Sequence, residues 1–453
     1  MERSIWGCVF ILILLCGFVV GAAEVNPSGQ GRLHVGWARA DITPERPVAL
    51  IGQLHKRISE RVRDPLTATA LAIESRGGGS SEQAILVSCD LLYIRKSVVE
   101  SIREVLKVRL PDFEADKLVL NATHTHTGPG FADEDFGTLY DVSQDKGVMR
   151  ASEYADFFVE KIARVAAEAW ERRGPGGVNW ALGHAVVGMN RRARYFDGKA
   201  IMYGSTTRAD FAGLEGYEDH GVEMLFFWDD SGKLNGIVVN LACTAQETEG
   251  LNEISADFWH DVRQTLRERL AQDVHVLPQC AAAGDLSPHL LYRKKAEEAM
   301  TKRRGLSNRQ EIARRIVDSV MDVLPTARDG AMVSPVFRHA VVRVNLPPAP
   351  SAAAPFYTTD NIAPVELHVL RLGDVAIATN PFELYLDYGV RIKARSSAVL
   401  TMLVQLSCQH SGYLPTAEAV AGGGYSADKY VVGPEGGQVL VDETVRQIEA
   451  LWK

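Results

Sequence analysis

Residues 117–130 have the sequence Lys117-Leu118-Val119-Leu120-Asn121-Ala122-Thr123-His124-Thr125-His126-Thr127-Gly128-Pro129-Gly130. The apolar run at its start predicts a buried strand, and Gly-Pro-Gly predicts the end of regular structure. Residues two apart on an extended segment point the same way, so we expect His124 and His126 to face one site. Imidazoles serve there as metal ligands or as acid–base groups. A polar surface turn is the simpler interpretation of a lone His-x-His pair.

The composition is that of an ordinary globular protein. The chain has 453 residues, of which 46% are hydrophobic and 23% are charged. This length allows several small domains or one large catalytic domain. The formal net charge of -8, with no basic run to offset it, argues against a nucleic-acid partner.

The N-terminus has the layout of a secretory signal peptide. A positively charged start (Met1-Glu2-Arg3) precedes an apolar run from Ile5 to Val20, and small residues follow at Gly21-Ala22-Ala23. We expect cleavage near Ala22 or Ala23, so that residues 1–23 are the signal peptide and the protein is secreted or periplasmic. A retained membrane anchor is the alternative, although the run is short for a span.

Four cysteines follow the predicted signal peptide: Cys89, Cys243, Cys280 and Cys408. Their wide spacing in so long a chain is not typical of a disulfide scaffold. Cys89 and Cys280 lie within apolar runs and are expected to be small buried hydrophobic residues. A single disulfide bond stays open as an alternative.

Strand-like and helix-like patterns alternate along the whole chain without a break in composition. This pattern predicts an α/β fold with mixed sheets in a single large catalytic domain, residues 24–453. The predicted strands are 33–37, 66–74, 83–92, 117–120, 180–187, 222–228, 236–242, 274–280, 337–346, 365–372, 375–379 and 399–406. The predicted helices are 98–108, 152–172, 256–270, 308–324, 381–395 and 441–451, and a long loop covers 131–148. Ser307 is the predicted N-terminal cap of the helix 308–324.

Reactive side chains occur in four loops, each of which follows a predicted strand. The loops are His124 to His126, Gly284 to Ser287, Asn380 to Glu383, and His410 to Tyr413. Each is a weak signal alone, because a Glu at a helix start is usually a dipole partner and a Ser before Pro is usually a turn residue.

These motifs together resemble the neutral/alkaline ceramidases, zinc amidases that deacylate N-acylsphingosine. The His-Thr-His-Thr-Gly-Pro string is similar to that family's His-Thr-His-Ser-Gly-Pro signature. Further matches occur in the family's order, from about Gly36 to the C-terminus. They are Asp41-Ile42-Thr43, Asp64-Pro65-Leu66, Asn190-Arg191, Ser255-Ala256-Asp257-Phe258, Gly284-Asp285-Leu286-Ser287-Pro288, Asn380-Pro381-Phe382-Glu383 and Tyr413-Leu414-Pro415-Thr416.

The resemblance implies a Zn2+ cofactor and a set of residue roles. The zinc ligands would be His124, Glu383 and Tyr413. The catalytic residues would be His126, which shuttles protons, and Arg191, which stabilises an oxyanion or binds a polar head group. Ser287 would attack the substrate or orient it, and Asp285 would shape the loop.

One departure from the family concerns the metal site. Thr244 falls where the family has a zinc-binding histidine, and Thr is a poor zinc ligand. The site is then either rebuilt, with His126, Gln246, Glu247 or His260 filling in, or weaker and differently selective. Glu247 and its neighbour Glu249 would favour a harder, more oxygen-rich site.

A second departure concerns the C-terminus. The family carries an immunoglobulin-like domain after the tyrosine motif, and we expect this chain to consist of the catalytic domain alone.

The sequence thus predicts a secreted, zinc-dependent hydrolase that cleaves the amide of an N-acyl lipid. The alternatives are a hydrolase of another ester, N-acyl or glycoconjugate substrate, and a non-catalytic binding protein on the same scaffold. A small-molecule or lipid substrate is expected, which allows peripheral contact with a membrane, and no protein partner is inferred. Six further histidines have no motif context and are expected on the surface or in the core: His55, His184, His220, His275, His339 and His368.

Overall fold

The computed structural model describes residues 31–77, 81–134, 136–350, 359–360 and 364–453. The predicted signal peptide lies outside these residues. Within them, no helix has the length and apolar character needed to cross a membrane.

The described residues form strands from near the start of the first range to the tyrosine motif. In chain order they are β1 (Arg32–Asp41), β2 (Arg61–Val62), β3 (Thr67–Arg76), β4 (Glu82–Cys89), β5 (Leu118–Ala122), β6 (Gly174–His184), β7 (Met189–Asn190), β8 (Arg192–Tyr195), β9 (Ala200–Met202), β10 (Phe211–Leu214), β11 (Gly221–Asp229), β12 (Leu234–Leu241), β13 (Glu253–Ile254), β14 (His275–Cys280), β15 (Leu286–Ser287), β16 (Phe337–Val344), β17 (Val365–Leu372), β18 (Val375–Thr379), β19 (Glu383–Leu384), β20 (Leu400–Val404) and β21 (Tyr413–Leu414).

Helices alternate with these strands. They are α1 (Lys96–Arg109), α2 (Ala151–Glu171), α3 (Phe258–Leu270), α4 (Lys294–Arg303), α5 (Asn308–Arg328), α6 (Leu386–Arg395), α7 (Ala417–Gly422) and α8 (Pro434–Trp452). The predicted cap of α5 is confirmed: Ser307 accepts a hydrogen bond from Gln310 N, and the Gln310 side chain accepts one from Ser307 N.

A large mixed sheet forms the centre of the molecule, which confirms the predicted α/β fold class. Its strand order is β14-β12-β11-β6-β1-β3-β4-β5. The outer pairs β12–β14 and β4–β5 are parallel, whereas β12–β11, β11–β6, β6–β1, β1–β3 and β3–β4 are antiparallel.

The two faces of this sheet have different partners, because side chains alternate along each strand. Gly36 of β1 lies against the α2 backbone at Ala169, where an added Cβ has no room. Its neighbour Trp37 points to the opposite face and meets Phe227 edge-on, with ring centroids 5.6 Å apart. Phe226, on the same face as Gly36, packs with residues of α3 and α5. Helices α2, α3 and α5 therefore cover one face.

A second sheet, of order β16-β17-β18-β20, covers the opposite face. Strand β20 lies against β11, β12 and β14, and Met402 shares a buried core with Trp37 and Phe227. Helices α6 and α8 pack on the far side of this second sheet. The described chain thus forms four layers: helices, sheet, sheet, helices.

The two sheets bring the predicted reactive loops together. Hydrogen bonds tie the strand ends to one another: Gln405 N donates to Cys280 O at 3.0 Å, and Ala122 N donates to Leu406 O at 3.3 Å. Asn380 N donates in turn to the last residue of β20. The loops after β5, β14, β18 and β20 consequently leave the sheets at one place.

The prediction of a helix from about Pro381 to Arg395 was wrong at its start. Glu383–Leu384 forms strand β19, and the helix begins only at Leu386. Pairing with β21 fixes this conformation, and Glu383 N donates to Gly412 O at 2.9 Å. A partner 29 residues away leaves no signal in the local pattern, because helix periodicity reports only near neighbours.

Other boundaries also differ from the prediction. The last helix begins at Pro434 rather than 441. The sequence missed its first turns because Gly436 and Gly437 have low helix propensity. In the structure both glycines are needed, since an added Cβ would collide with Val432 or with the Tyr388 ring. Strand β6 begins at Gly174 rather than 180, since its glycines pair with β11. Helix α4 and the small sheet β10-β8-β9 were not predicted.

All four described cysteines are free and buried, which leaves the alternative of a disulfide bond without support.

A candidate metal centre at the strand ends

His124 is held with one ring nitrogen facing a carbonyl. Its backbone has φ 67°, a strained conformation for a residue with a side chain, and its N–H donates to Leu91 O at 2.9 Å. Nδ1 lies 2.8 Å from Leu92 O, which can only accept, so Nδ1 carries the proton. Nε2 is then left with a lone pair, which is the arrangement found in metal-binding histidines.

That lone pair faces a carboxylate. Glu383 Oε2 lies 3.3 Å from His124 Nε2 and has no hydrogen-bond donor among the described residues. Ligand bonds of about 2.0–2.1 Å around tetrahedral zinc separate neighbouring N and O ligands by about 3.3–3.4 Å. Strand pairing places Tyr413 directly opposite Glu383. The spacing of His124 and Glu383 therefore fits two neighbouring ligands of a zinc ion, and Tyr413 is the residue paired with Glu383.

The charge state of Glu383 also suits a ligand. Burial opposes ionisation of its carboxyl group, but a protonated His124 ring, Arg191 and a hydrogen bond from Tyr413 outweigh burial and hold the pKa of Glu383 below its ordinary value; a metal ion between His124 and Glu383 would take the place of that proton. The carboxylate is thus ionised at neutral pH, as a metal ligand must be.

Arg191 connects the parts of the site from a fully buried position. Its Nη2 donates to Gly284 O at 2.8 Å and to the Tyr413 hydroxyl at 3.3 Å, and Nη1 donates to Gln246 Oε1 at 3.2 Å. The remaining donor, Nε, has no hydrogen-bond partner among the described residues. One N–H of a buried guanidinium is therefore available to an oxygen of a substrate.

Gln246 lies two residues after Thr244, the position that the sequence comparison assigned to the missing metal-binding histidine. Its Oε1 accepts from the Thr244 hydroxyl at 2.6 Å as well as from Arg191, which fixes the orientation of the amide. Its Nε2 must then donate, and it lies 3.0 Å from His126 Nε2. Gln246 thus links the arginine to the histidine, and both of its polar atoms already have partners.

The same bond defines the tautomer of His126. Since Nε2 accepts from Gln246, Nδ1 carries the proton, and its nearest carboxylate oxygen is Glu249 Oε2 at 3.5 Å. Burial, followed by His124 and Arg191, lowers the pKa of His126 well below its ordinary value. The ring is therefore neutral at physiological pH, and its one lone pair, on Nε2, faces the Gln246 amide.

Two carboxylates and a histidine extend this network. His289 lies 3.6 Å from Glu249 Oε1 and 3.7 Å from Glu247 Oε2. Burial raises the pKa of Glu247 to about 7 and lowers that of His289 to about 4. Sequence reasoning did not find His289, although it follows the Ser287-Pro288 motif directly.

His260, which the sequence suggested as a replacement ligand, lies in the first turn of α3.

Ser287 is buried in β15, which pairs with β7 just before Arg191. Its hydroxyl oxygen accepts from His289 N at 3.2 Å, so its proton is not used in that bond. Asp285 holds the loop, as predicted: its carboxylate accepts from Leu386 N at 2.8 Å and from the Asn190 side chain at 2.9 Å.

Comparison with known proteins defines the fold. No protein-family model matches the chain, and no curated protein sequence matches it. A solved ceramidase complexed with C2 superposes with a TM-score of 0.71 at 18% identity, over 93% of this chain and 75% of that one. The neutral ceramidase from Pseudomonas aeruginosa gives a TM-score of 0.70 at 18% identity over the same shares.

The chain has the neutral ceramidase fold. On this fold, the structure brings five of the six predicted site residues into one connected group: His124, His126, Arg191, Glu383 and Tyr413. Ser287 joins them through the β7–β15 pairing that precedes Arg191. The individual roles of these residues stay predictions.

Proposed function

We propose that the protein is a secreted, zinc-dependent amidohydrolase that cleaves the amide of an N-acyl lipid similar to N-acylsphingosine. The observation that carries this proposal is the 3.3 Å separation of His124 Nε2 from the ionised Glu383, with Tyr413 beside it. The neutral ceramidase fold supports it, and the signal-like N-terminus supports export.

Zinc would be held by His124, Glu383 and Tyr413. When bound, it supplies Lewis acidity, which polarises an amide carbonyl and lowers the pKa of water. Three protein ligands leave a fourth position open, as catalytic zinc sites require. With Thr244 in place of the family histidine, the chain still offers three protein ligands, which is the number that a catalytic zinc site needs.

Arg191 would bind the oxygen of the scissile carbonyl. Its guanidinium is buried and stays charged, and its Nε is the donor without a protein partner. Negative charge develops on that oxygen in the tetrahedral transition state, and a fixed buried donor stabilises it strongly.

His126 would accept a proton from the attacking group and return it to the leaving amine. Nε2 would take that proton when substrate displaces the Gln246 amide from it, and Glu249 would stabilise the ring once it is charged. Ser287 would hold the substrate through its hydroxyl, or attack the carbonyl carbon while its hydroxyl proton passes to His126.

A second candidate substrate class is supported by a cavity beside this network. The cavity has a volume of about 340 Å³ and is lined by Tyr203, Glu247, His289, Glu297 and Arg315, among others. Tyr203 is shared with the site, since Arg191 donates to its hydroxyl at 3.4 Å. The charged groups of this lining would bind an N-acyl substrate with a polar amine portion, and its apolar residues Val187, Met189 and Ile312 would contact the acyl chain.

The test is hydrolysis by the mature protein of a panel of N-acylsphingosines, N-acyl amino sugars and matched esters, with zinc content measured in parallel. We expect amine release, and we expect His124→Ala and Glu383→Gln to lose turnover together with one equivalent of bound zinc. The control is His184→Ala, which changes an exposed histidine.

Three outcomes decide between the alternatives. Amine release only from the polar amides selects the second substrate class. Zinc binding with no turnover on any amide or ester indicates a binding protein. Full zinc content in both His124→Ala and Glu383→Gln refutes the assignment of the metal ligands.

A further inference from the structure

A second group of metal-ligand side chains lies away from the candidate centre and shares no residue with it. Glu366 and His368 belong to β17, and Cys408 follows β20. Their ligand atoms all lie within 4.8 Å of one another, with His368 Nε2 3.0 Å from Glu366 Oε1 and 3.9 Å from Cys408 Sγ. His368 and Cys408 are buried.

The hydrogen bonds around His368 define which of its nitrogens carries a proton. His339 Nδ1 lies 3.0 Å from Gln83 O, an acceptor, so it must donate, and Nε2 of the neutral His339 ring must accept. His368 Nδ1, 2.9 Å from that Nε2, is consequently the donor. The Nε2 lone pair of a neutral His368 therefore points at Glu366, with two acceptors facing each other at 3.0 Å.

Such a contact is unfavourable unless a cation lies between the two atoms. A proton on His368 Nε2 would be one solution, and a metal ion bound by both residues is the other. Arg103 is the nearest permanent cation, and its Nη2 donates to Glu366 Oε1 at 2.6 Å and to Leu118 O at 2.9 Å. It reaches His368 Nε2 only at 3.5 Å, and the Cys408 thiol lies 3.9 Å from the same nitrogen, so both available donors are at long distance.

The surroundings meet the other requirements of a metal site. The chain from Gln83 O through His339 to His368 is a supporting shell that fixes a ligand imidazole. Arg103 donates to both carboxylate oxygens of Glu366, at 3.2 Å to Oε2 and 2.6 Å to Oε1, and the second lone pair of Oε1 faces His368 Nε2, where a metal would bind. A cavity of about 150 Å³, lined by Cys408 and Glu366, provides a route of entry.

We propose that Glu366, His368 and Cys408 form a second divalent-metal site, selective for zinc, that joins β17 to the segment after β20. A thiolate, an imidazole and a carboxylate are the donors that zinc prefers, and water would complete a tetrahedron. Metal binding releases the thiol proton of Cys408 to solvent, so the two anionic ligands balance the charge of the ion. This inference does not depend on the proposed function.

The test uses cobalt, which replaces zinc and reports on sulfur ligands. The full mature protein is produced in medium depleted of zinc and supplied with Co2+. A cobalt–thiolate bond gives a strong charge-transfer absorption in the near ultraviolet, whereas the centre formed by His124, Glu383 and Tyr413 contains no sulfur. We expect this absorption in the wild type and in His124→Ala, and we expect Cys408→Ser to lose it.

The matched control is Cys89→Ser, which changes another fully buried thiol and should keep the absorption. His368→Gln retains the cysteine and should weaken cobalt binding at least tenfold, so it serves if Cys408→Ser does not fold. The proposal is overturned if folded wild-type protein shows no cobalt–thiolate absorption. Absorption that persists in Cys408→Ser, or that is unchanged in His368→Gln, overturns it equally.

Discussion

The close approach of Gly284 to β19 predicts that one added methyl group disturbs the metal centre. A Cβ at position 284 would lie 2.8 Å from the Glu383 carbonyl carbon and 2.9 Å from that of Leu384. Carbon atoms in contact prefer about 3.5–4.0 Å, so the strand must move by roughly 0.7–1 Å. Gly284 N also donates to Leu384 O at 2.7 Å, so the two segments cannot separate freely.

This displacement is large compared with the tolerance of a functional site, which is about 0.5 Å. A misplacement of about 1 Å costs on the order of 10²-fold in rate. Overpacking itself costs about 1–3 kcal/mol of stability, which a chain of this size tolerates. We therefore expect Gly284→Ala to remain folded, to bind zinc at least tenfold more weakly, and to lose about 10²-fold in turnover.

Zinc affinity is measured by titration against a competing chelator, turnover by amine release, and stability by thermal unfolding. Gly174→Ala is the matched control, because no atom lies within 4 Å of the added Cβ there. Wild-type zinc affinity in folded Gly284→Ala would refute the argument that the Gly284 segment positions Glu383.

Three further predictions concern neighbouring groups. Ser287→Ala should retain zinc and lose turnover: a loss of several orders of magnitude indicates a nucleophile, and a loss near one hydrogen bond (~1 kcal/mol) indicates positioning. Glu249→Gln should lower turnover by about 10–100-fold, by weakening support of the charged His126 ring, with zinc content unchanged. Burial raises the pKa of Glu247 from 4.5 to about 7, so the folded state binds its proton more tightly than the unfolded state. The free energy of unfolding of the wild type should accordingly fall by ~3 kcal/mol relative to that of Glu247→Gln as the pH rises from 4.5 to 7. It is measured by denaturant unfolding at each pH, and the same pH dependence of this free energy in both proteins would contradict the prediction.

The sequence by itself determined the α/β class and the element that carries each reactive loop. The His124–His126 loop follows β5 as the apolar run predicted, because a buried strand and a Gly-Pro-Gly stop are local features. The Ser307 cap and the burial of Cys89 and Cys280 were likewise predictable from adjacent residues. The metal ligands were predicted from the order of the motifs, which resembles that of the neutral/alkaline ceramidases.

The tertiary structure alone decided how those groups meet. Glu383 faces His124 because β19 pairs with β21, a long-range contact that local helix propensity contradicted. The lone pair of His124 and the proton position on His126 follow from Leu92 O and Gln246, whose orientations no local pattern encodes. The group formed by Glu366, His368 and Cys408 likewise arises where β17 meets the segment after β20. Each case depends on residues far apart in sequence, whose proximity is created by sheet register and packing.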